Sequence, residues 1–241
     1  MQSKFEYMKK DLYDLAETAL EQVIALSDCI EAGDLDRAMN IVARDDYLDA
    51  LEKDIDNLSQ TALLEAVATH QRLEEEQAQV LLLDDPLHFA LSAIRLTRFF
   101  ERIGDEVVNS ARAYARGKLA LDKEEKMNLL MSRVVTSVGM SVESLIEHKV
   151  KFFGSIHAVE REIDLISAEI FLELGSRQDI DRKQALDMFR ILLSLERIGD
   201  LSVNITEELV RLATGHDIRH MDFNTRETIL SESRKSQVQN L

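Results

Sequence analysis

The chain has 241 residues, 45% of them hydrophobic and 31% charged, with one Pro, eight Gly, one Cys and no Trp. That apolar content supports a core and excludes wholesale disorder, while so few turn-forming residues exclude a sandwich or barrel, so an all-helical chain is expected. A net charge of −16 repels phosphate backbones and anionic lipid, which argues against general nucleic-acid or direct membrane-surface binding. Cys29 stands alone, which removes any intrachain disulfide or cysteine-based zinc site and points to a reducing compartment. No apolar segment reaches the ~18 residues of a membrane span, and the charged start Met1-Gln2-Ser3-Lys4-Phe5-Glu6 lacks a signal-peptide core. A cytoplasmic protein is expected.

The first predicted helix covers about 3–31, where Phe5, Met8, Leu12, Leu15, Ala19, Val23, Leu26 and Ile30 form one stripe at steps of three and four. Gly33 closes it and Asp34 is placed to cap the next. A second helix carries Ile41, Leu48, Leu51, Ile55 and Leu58 and is expected to run on to a point between 70 and 82. Asp84-Asp85-Pro86 is a stop and restart, opening a third helix that Gly117 ends. Asp122 is expected to open the fourth, through Leu130, Val134, Val138, Val142 and Leu145, with a break at Gly154-Ser155. The fifth is expected over 156–174, and the sixth from Asp179 or Asp181 to Ala213, before Gly215. Residues 216–241 show little apolar periodicity and read as a loose polar tail.

An internal repeat organises these elements. The third helix contains Arg95, Glu101-Arg102-Ile103-Gly104-Asp105 and Asn109; the sixth contains Arg190, Glu196-Arg197-Ile198-Gly199-Asp200 and Asn204, at identical offsets. The preceding helices match too, Leu51-Glu52-Lys53-Asp54-Ile55-Asp56 against Val159-Glu160-Arg161-Glu162-Ile163-Asp164. Glu52 lies 49 residues before Glu101 and Glu160 lies 36 before Glu196, so the first copy holds about 13 extra residues, placed around His70–Gln79. The expected fold is all-α: a tandem pair of three-helix bundles made of six long antiparallel helices, 1–117 and 122–214, followed by the tail at 216–241.

Within each copy, Glu and Asp four apart point the same way, about 40° around and ~6 Å along the helix. With the Arg and Asn they make one polar stripe about 21 Å long. A Gly inside a helix costs roughly 1 kcal/mol against Ala, so its presence in both copies calls for a close neighbour at that backbone, most simply another helix. Carboxylates on one face, opposed by acids of a partner helix, form a hard-oxygen site of the kind that takes Mg²⁺, Mn²⁺, Ca²⁺ or iron. The opposing acids are Asp45, Asp49 and Glu52 in the first copy and Glu160 and Asp164 in the second. The alternative is that each Glu pairs with an Arg at i+1, i−3 or i−6, or faces water.

The duplicated Glu-Arg-Ile-Gly-Asp with its following Asn resembles the hallmark of the PhoU family of phosphate-signalling proteins, and the resemblance extends over about 5–214. It implies two similar three-helix bundles, often in a homodimer, and metal ions held through Glu101, Asp105, Glu196 and Asp200, with iron, zinc, manganese or magnesium as the metals in question. Asn109 and Asn204 belong to the same motif. The partners implied are a phosphate ABC transporter and the sensor histidine kinase of the phosphate regulon, with contact to the membrane only through them. The outcome implied is restraint of phosphate uptake when phosphate is plentiful. Three features depart from the family pattern: Leu87-His88-Phe89 and Ala185-Leu186-Asp187 stand where many members have Asp-Leu-Arg, the second helix is lengthened, and His157 occupies the position matching Asp49.

No enzyme is expected. None of His70, His88, His148, His157, His216 and His220 has a Glu three residues before it, as a di-iron bundle requires. No nucleophile elbow or Gly-rich phosphate loop is present. The competing readings are a regulator of another ion transporter sharing this domain, and a metal-free helical adaptor.

Overall fold

The apolar stripes read above become the buried sides of seven helices in a computed structural model, which describes residues 2–42, 45–70, 86–117, 125–148, 150–218 and 221. They are α1 (Gln2–Ala32), α2 (Leu35–Val42), α3 (Asp45–His70), α4 (Pro86–Gly117), α5 (Glu125–Ile146), α6 (Phe153–Leu174) and α7 (Arg182–Thr214). Every residue of the first stripe except Phe5 (8%) is fully buried. Among the described residues there is no strand.

Several boundaries follow their local chemistry. Gly33 (φ 68°) and Gly215 (φ 74°) take the left-handed conformation that ends a helix. The Asp34 carboxylate accepts the Asp36 and Arg37 amides at 3.1 and 3.0 Å, capping α2. Of the two candidates for the start of α7, Asp181 is the cap: it accepts from Lys183 and Gln184, and the Gln184 side chain accepts from the Asp181 amide.

Two boundaries differ from expectation. The expected second helix is two, α2 and α3, so the described residues form seven helices and not six. No Gly or Pro marks the division between Val42 and Asp45. Gly154-Ser155 does not break the chain but lies in the exposed first turn of α6, where a Cβ added to Gly154 would meet no neighbour. The turn comes earlier, after Ile146, where His148 adopts φ 53° and its Nε2 lies 2.9 Å from the Tyr13 hydroxyl of α1. The extension of the second helix beyond His70, the insertion placed at 70–79, the opening by Asp122 and most of the tail lie outside the described residues. The tail's first residues are not wholly loose, since Ile218 is fully buried.

Helices α1, α3 and α4 pack on one another, as do α5, α6 and α7. The two triplets join along α1–α5 and, most extensively, along α4–α7, so one hydrophobic core runs through both. Among the described residues α5 alone is long and apolar enough to cross a membrane, with mean hydropathy 1.3; half of that stretch is buried against its neighbours, as in a core helix.

The motif glycines sit where helices meet. A Cβ on Gly104 would overlap Leu48 Cδ1 and stand 3.2 Å from Gln22 Oε1, and both side chains are buried. On Gly199 it would meet Ile163 Cδ1 at 3.1 Å, a contact that a small shift relieves. We expect Gly104→Ala to destabilise by about 1–2 kcal/mol despite its gain in helix propensity, and Gly199→Ala to be near neutral. Urea melts of the two variants check this; equal effects would contradict the packing described.

Candidate functional site

Close approach at the two glycines brings acids of adjacent helices together. Along the α3–α4 seam, Asp49 and Glu52 face Glu101 and Asp105. Along α6–α7, Glu160 and Asp164 face Glu196 and Asp200. The registers of the two seams differ. Leu48, which touches Gly104, corresponds in the repeat to Ile156, whereas Ile163, which touches Gly199, corresponds to Ile55. In the second copy, Asp164 therefore reaches both motif acids, while its counterpart Asp56 perturbs Glu52 on its own helix. Asp164 supplies an opposing acid where His157 does not; that imidazole packs edge-on to Phe153 at 4.5 Å.

Crowded carboxylates resist losing their protons. Partial burial, then repulsion from Asp105 and Glu52, pushes Glu101 up to about 7, and Asp105 lies within hydrogen-bonding reach of it. Burial, followed by Asp56 and Asp49, raises Glu52. In the second cluster burial is again the leading cause, with Asp164 raising Glu160, Glu196 and Asp200, and the Ser167 hydroxyl acting in the opposite sense on Glu196.

The arginines of the motif do not neutralise these acids. Arg95 and Arg190, at the −6 positions, reach Glu208 and Asp187. Arg197 pairs with Glu106 at 3.0 Å. Among the described residues no Lys or Arg forms an ion pair with Glu101, Asp105, Glu196 or Asp200. Asn109 is exposed on α4, Asn204 turns toward the α4–α7 side, and Asp45 opens α3 with its side chain outside the described set.

Two sets of four hard-oxygen carboxyl groups match in donor chemistry what a di- or trivalent cation takes. Their geometry is open: among the described residues no three His, Cys, Asp or Glu side chains are arranged to hold a metal ion. A bound cation would need the carboxylates drawn inward, which their mutual repulsion opposes in its absence.

The raised Glu101 gives a signed pH dependence. Its folded pKa lies above the ordinary value of 4.5, so the folded chain holds a proton that the unfolded chain releases. That stabilisation is fully present below the unfolded pKa and is lost as pH rises through about 7. We expect the melting temperature of metal-free protein to fall from about pH 5 to about pH 8, and Glu101→Gln to flatten that part of the profile. A wild-type profile as flat as that of the variant would contradict this.

Sequence reasoning missed a second set of acids, on the seam between the copies. Glu208 (4% exposed) and Asp187 (1%) are buried on α7. Glu208 accepts from Arg95 of α4 at 3.3 Å and from Arg211 at 2.8–3.2 Å. Asp187 accepts from Arg116 of α4 at 2.8 and 3.2 Å. Glu106 of α4 accepts from Arg197 and from the Ser194 hydroxyl at 2.6 Å. Moving 11 residues along α4 from Arg95 to Glu106 moves 11 back along α7 from Glu208 to Arg197; α4 and α7 therefore run antiparallel in one register. The available signal was an acid placed on an apolar stripe, as Asp187 is with Ile191, Leu195 and Ile198.

The duplicated motif, its helices and its acid clusters can be set beside known proteins. The family model of the PhoU domain matches this chain twice, over residues 12–113 and 127–209. The chain belongs to the PhoU family. A phosphate-specific transport system accessory protein PhoU homolog of Clostridium acetobutylicum is 22% identical over 222 residues, covering 90% of this chain and 95% of that protein. One from Xylella fastidiosa is 24% identical over 213 residues, covering 86% of this chain and 82% of the relative. The crystal structure of the phosphate transport system regulatory protein PhoU from Streptococcus pneumoniae superposes with TM-score 0.73 at 19% identity, over 92% of this chain and 99% of that one. PhoU from Pseudomonas aeruginosa superposes at 0.71 and 20% identity, over 89% and 99%. These structures share the all-helical tandem fold.

Proposed function

We propose that this chain is a non-enzymatic, cytoplasmic regulator of phosphate uptake and phosphate-starvation signalling. It acts with a phosphate ABC transporter and a sensor histidine kinase, works as a homodimer, and binds metal through its duplicated Glu-x-x-x-Asp faces. The observation that carries the reading is the double match to the PhoU domain, supported by relatives named as accessory proteins of phosphate-specific transport. The division at 117–122 separates the two regulatory units.

The acids contribute in a definable way. Glu101 with Asp105 and Glu196 with Asp200 would hold the cation, helped by Asp49 and Glu52 in one copy and Glu160 and Asp164 in the other. The metal would supply charge neutralisation that draws α3 toward α4 and α6 toward α7. Binding requires the raised carboxyls to lose their protons, so affinity rises with pH. A net charge of −16 favours basic partner segments and speeds encounter with them, an effect that salt weakens.

Deleting the gene is expected to raise expression of phosphate-starvation genes in phosphate-rich medium, with reversal by the wild-type gene. Unchanged uptake and unchanged starvation-gene expression would overturn the phosphate assignment in favour of another ion transporter.

A further inference from the structure

The outer face of α6 carries apolar side chains that no described helix covers. Leu165, Ala168 and Leu172 recur at i, i+3 and i+7, and Phe171 lies beside them. Leu165, Phe171 and Leu172 are 66, 52 and 74% exposed. The Phe171 ring meets that of Phe189 on α7 at 5.3 Å between centroids, which carries the stripe across to the exposed Leu186. Single exposed leucines are ordinary, whereas a contiguous set marks an interaction surface.

Acids frame the stripe on both sides. Glu160 and Asp164 lie on the side toward α7, in the second acidic cluster. Glu162, Glu169 and Glu173 lie on the side toward α5. There Arg133 pairs with Glu162 and Lys126 with both Glu169 and Glu173, and each of the three carboxylates stays at least half exposed. Against these five acids α6 has one base, Arg161. The acidic frame belongs to α6, since at Leu186 the neighbouring charges are Arg182, Lys183 and Arg190. A cation held by the cluster would reduce the charge on the α7 side and leave the α5 side as it is.

The geometry points to the outer face of α6 as the docking surface for an amphipathic helix of a protein partner, one whose apolar stripe is flanked by lysine and arginine. Helices of this kind lay apolar anchors, spaced three and four residues apart, on an apolar face, and the flanking bases then meet the two rows of acids. The same charges argue against other occupants. A second copy pairing through this face would set acidic rows against acidic rows, and an anionic bilayer would be repelled in the same way. The inference rests on the reading above only in that the proposed regulator acts through protein partners.

The test is a fluorescence-anisotropy titration of the purified full chain into a labelled synthetic helix of leucine and lysine, beside a leucine–glutamate helix of the same pattern. We expect saturable binding of the lysine helix and none of the glutamate helix. Leu165→Ser with Leu172→Ser, at exposed positions and with no change of charge, should keep the helical circular dichroism. It should weaken binding of the lysine helix by roughly tenfold or more, the size of one lost leucine contact. Met39→Ser, at an exposed position on α2, should bind like wild type. No binding of the lysine helix, equal binding of the two peptides, or a double variant that binds like wild type would each overturn the surface. A dimer by sedimentation that the double variant loses would assign the face to a second copy instead. Binding to phosphatidylglycerol vesicles that the double variant loses would assign it to the membrane. The regulatory role is read from the deletion phenotype, so that phenotype persisting beside a failed titration removes the surface and leaves the role.

Discussion

Replacing Arg95 and Arg211 together with Met is expected to destabilise the chain by about 3 kcal/mol, since it removes two cationic donors from a buried carboxylate. Glu208 is 4% exposed and draws its charge-assisted bonds from these two side chains. A chain of this size should lose roughly 6–12 °C in melting temperature. One control separates the electrostatic cause from lost arginine packing. Adding Glu208→Leu to the double variant should recover much of the loss, because an apolar group suits an apolar surrounding. If the double variant melts with wild type, the pairs to Glu208 add nothing to the seam between the repeats.

The second large effect has the opposite sign. Glu101→Gln, Asp105→Asn, Glu196→Gln and Asp200→Asn in one chain should raise the melting temperature of metal-free protein above that of wild type at about pH 8. At that pH the raised carboxyls are ionised and repel one another across the α3–α4 and α6–α7 seams. Neutral amides of the same shape remove the repulsion and leave the glycine contacts in place. Excess divalent cation should stabilise wild type and leave the variant unmoved, because a ligand stabilises only the chain that binds it. A fourfold variant that melts below wild type in metal-free buffer would mean that these acids support the fold.

Most helices were legible because their stripes are long and regular: the spacing from Phe5 to Ile30 already describes the buried side of α1. Caps were legible where one residue carries the chemistry, as with Asp34 and Asp181. The duplication was legible because it repeats residue types at fixed offsets, and it pointed to acids that the fold does bring together. Three features were out of reach for physical reasons. Helix-compatible residues surround the division between α2 and α3, and Gly154 signalled a break where an exposed first turn tolerates it. The register difference between the seams depends on how far α3 slides along α4, which spacing within a single helix cannot express. The buried acids Asp187 and Glu208 find partners on a helix from the other repeat, so pairing them required the α4–α7 contact itself.

Metal content measured by inductively coupled plasma mass spectrometry, on wild type and the fourfold acid variant purified side by side without chelator, tests the central claim most directly. Wild type should carry iron, zinc, manganese or magnesium in proportion to protein, and the variant should carry none while keeping its helical circular dichroism. Equal metal in the two preparations would contradict the assignment of Glu101, Asp105, Glu196 and Asp200 as the metal-binding faces.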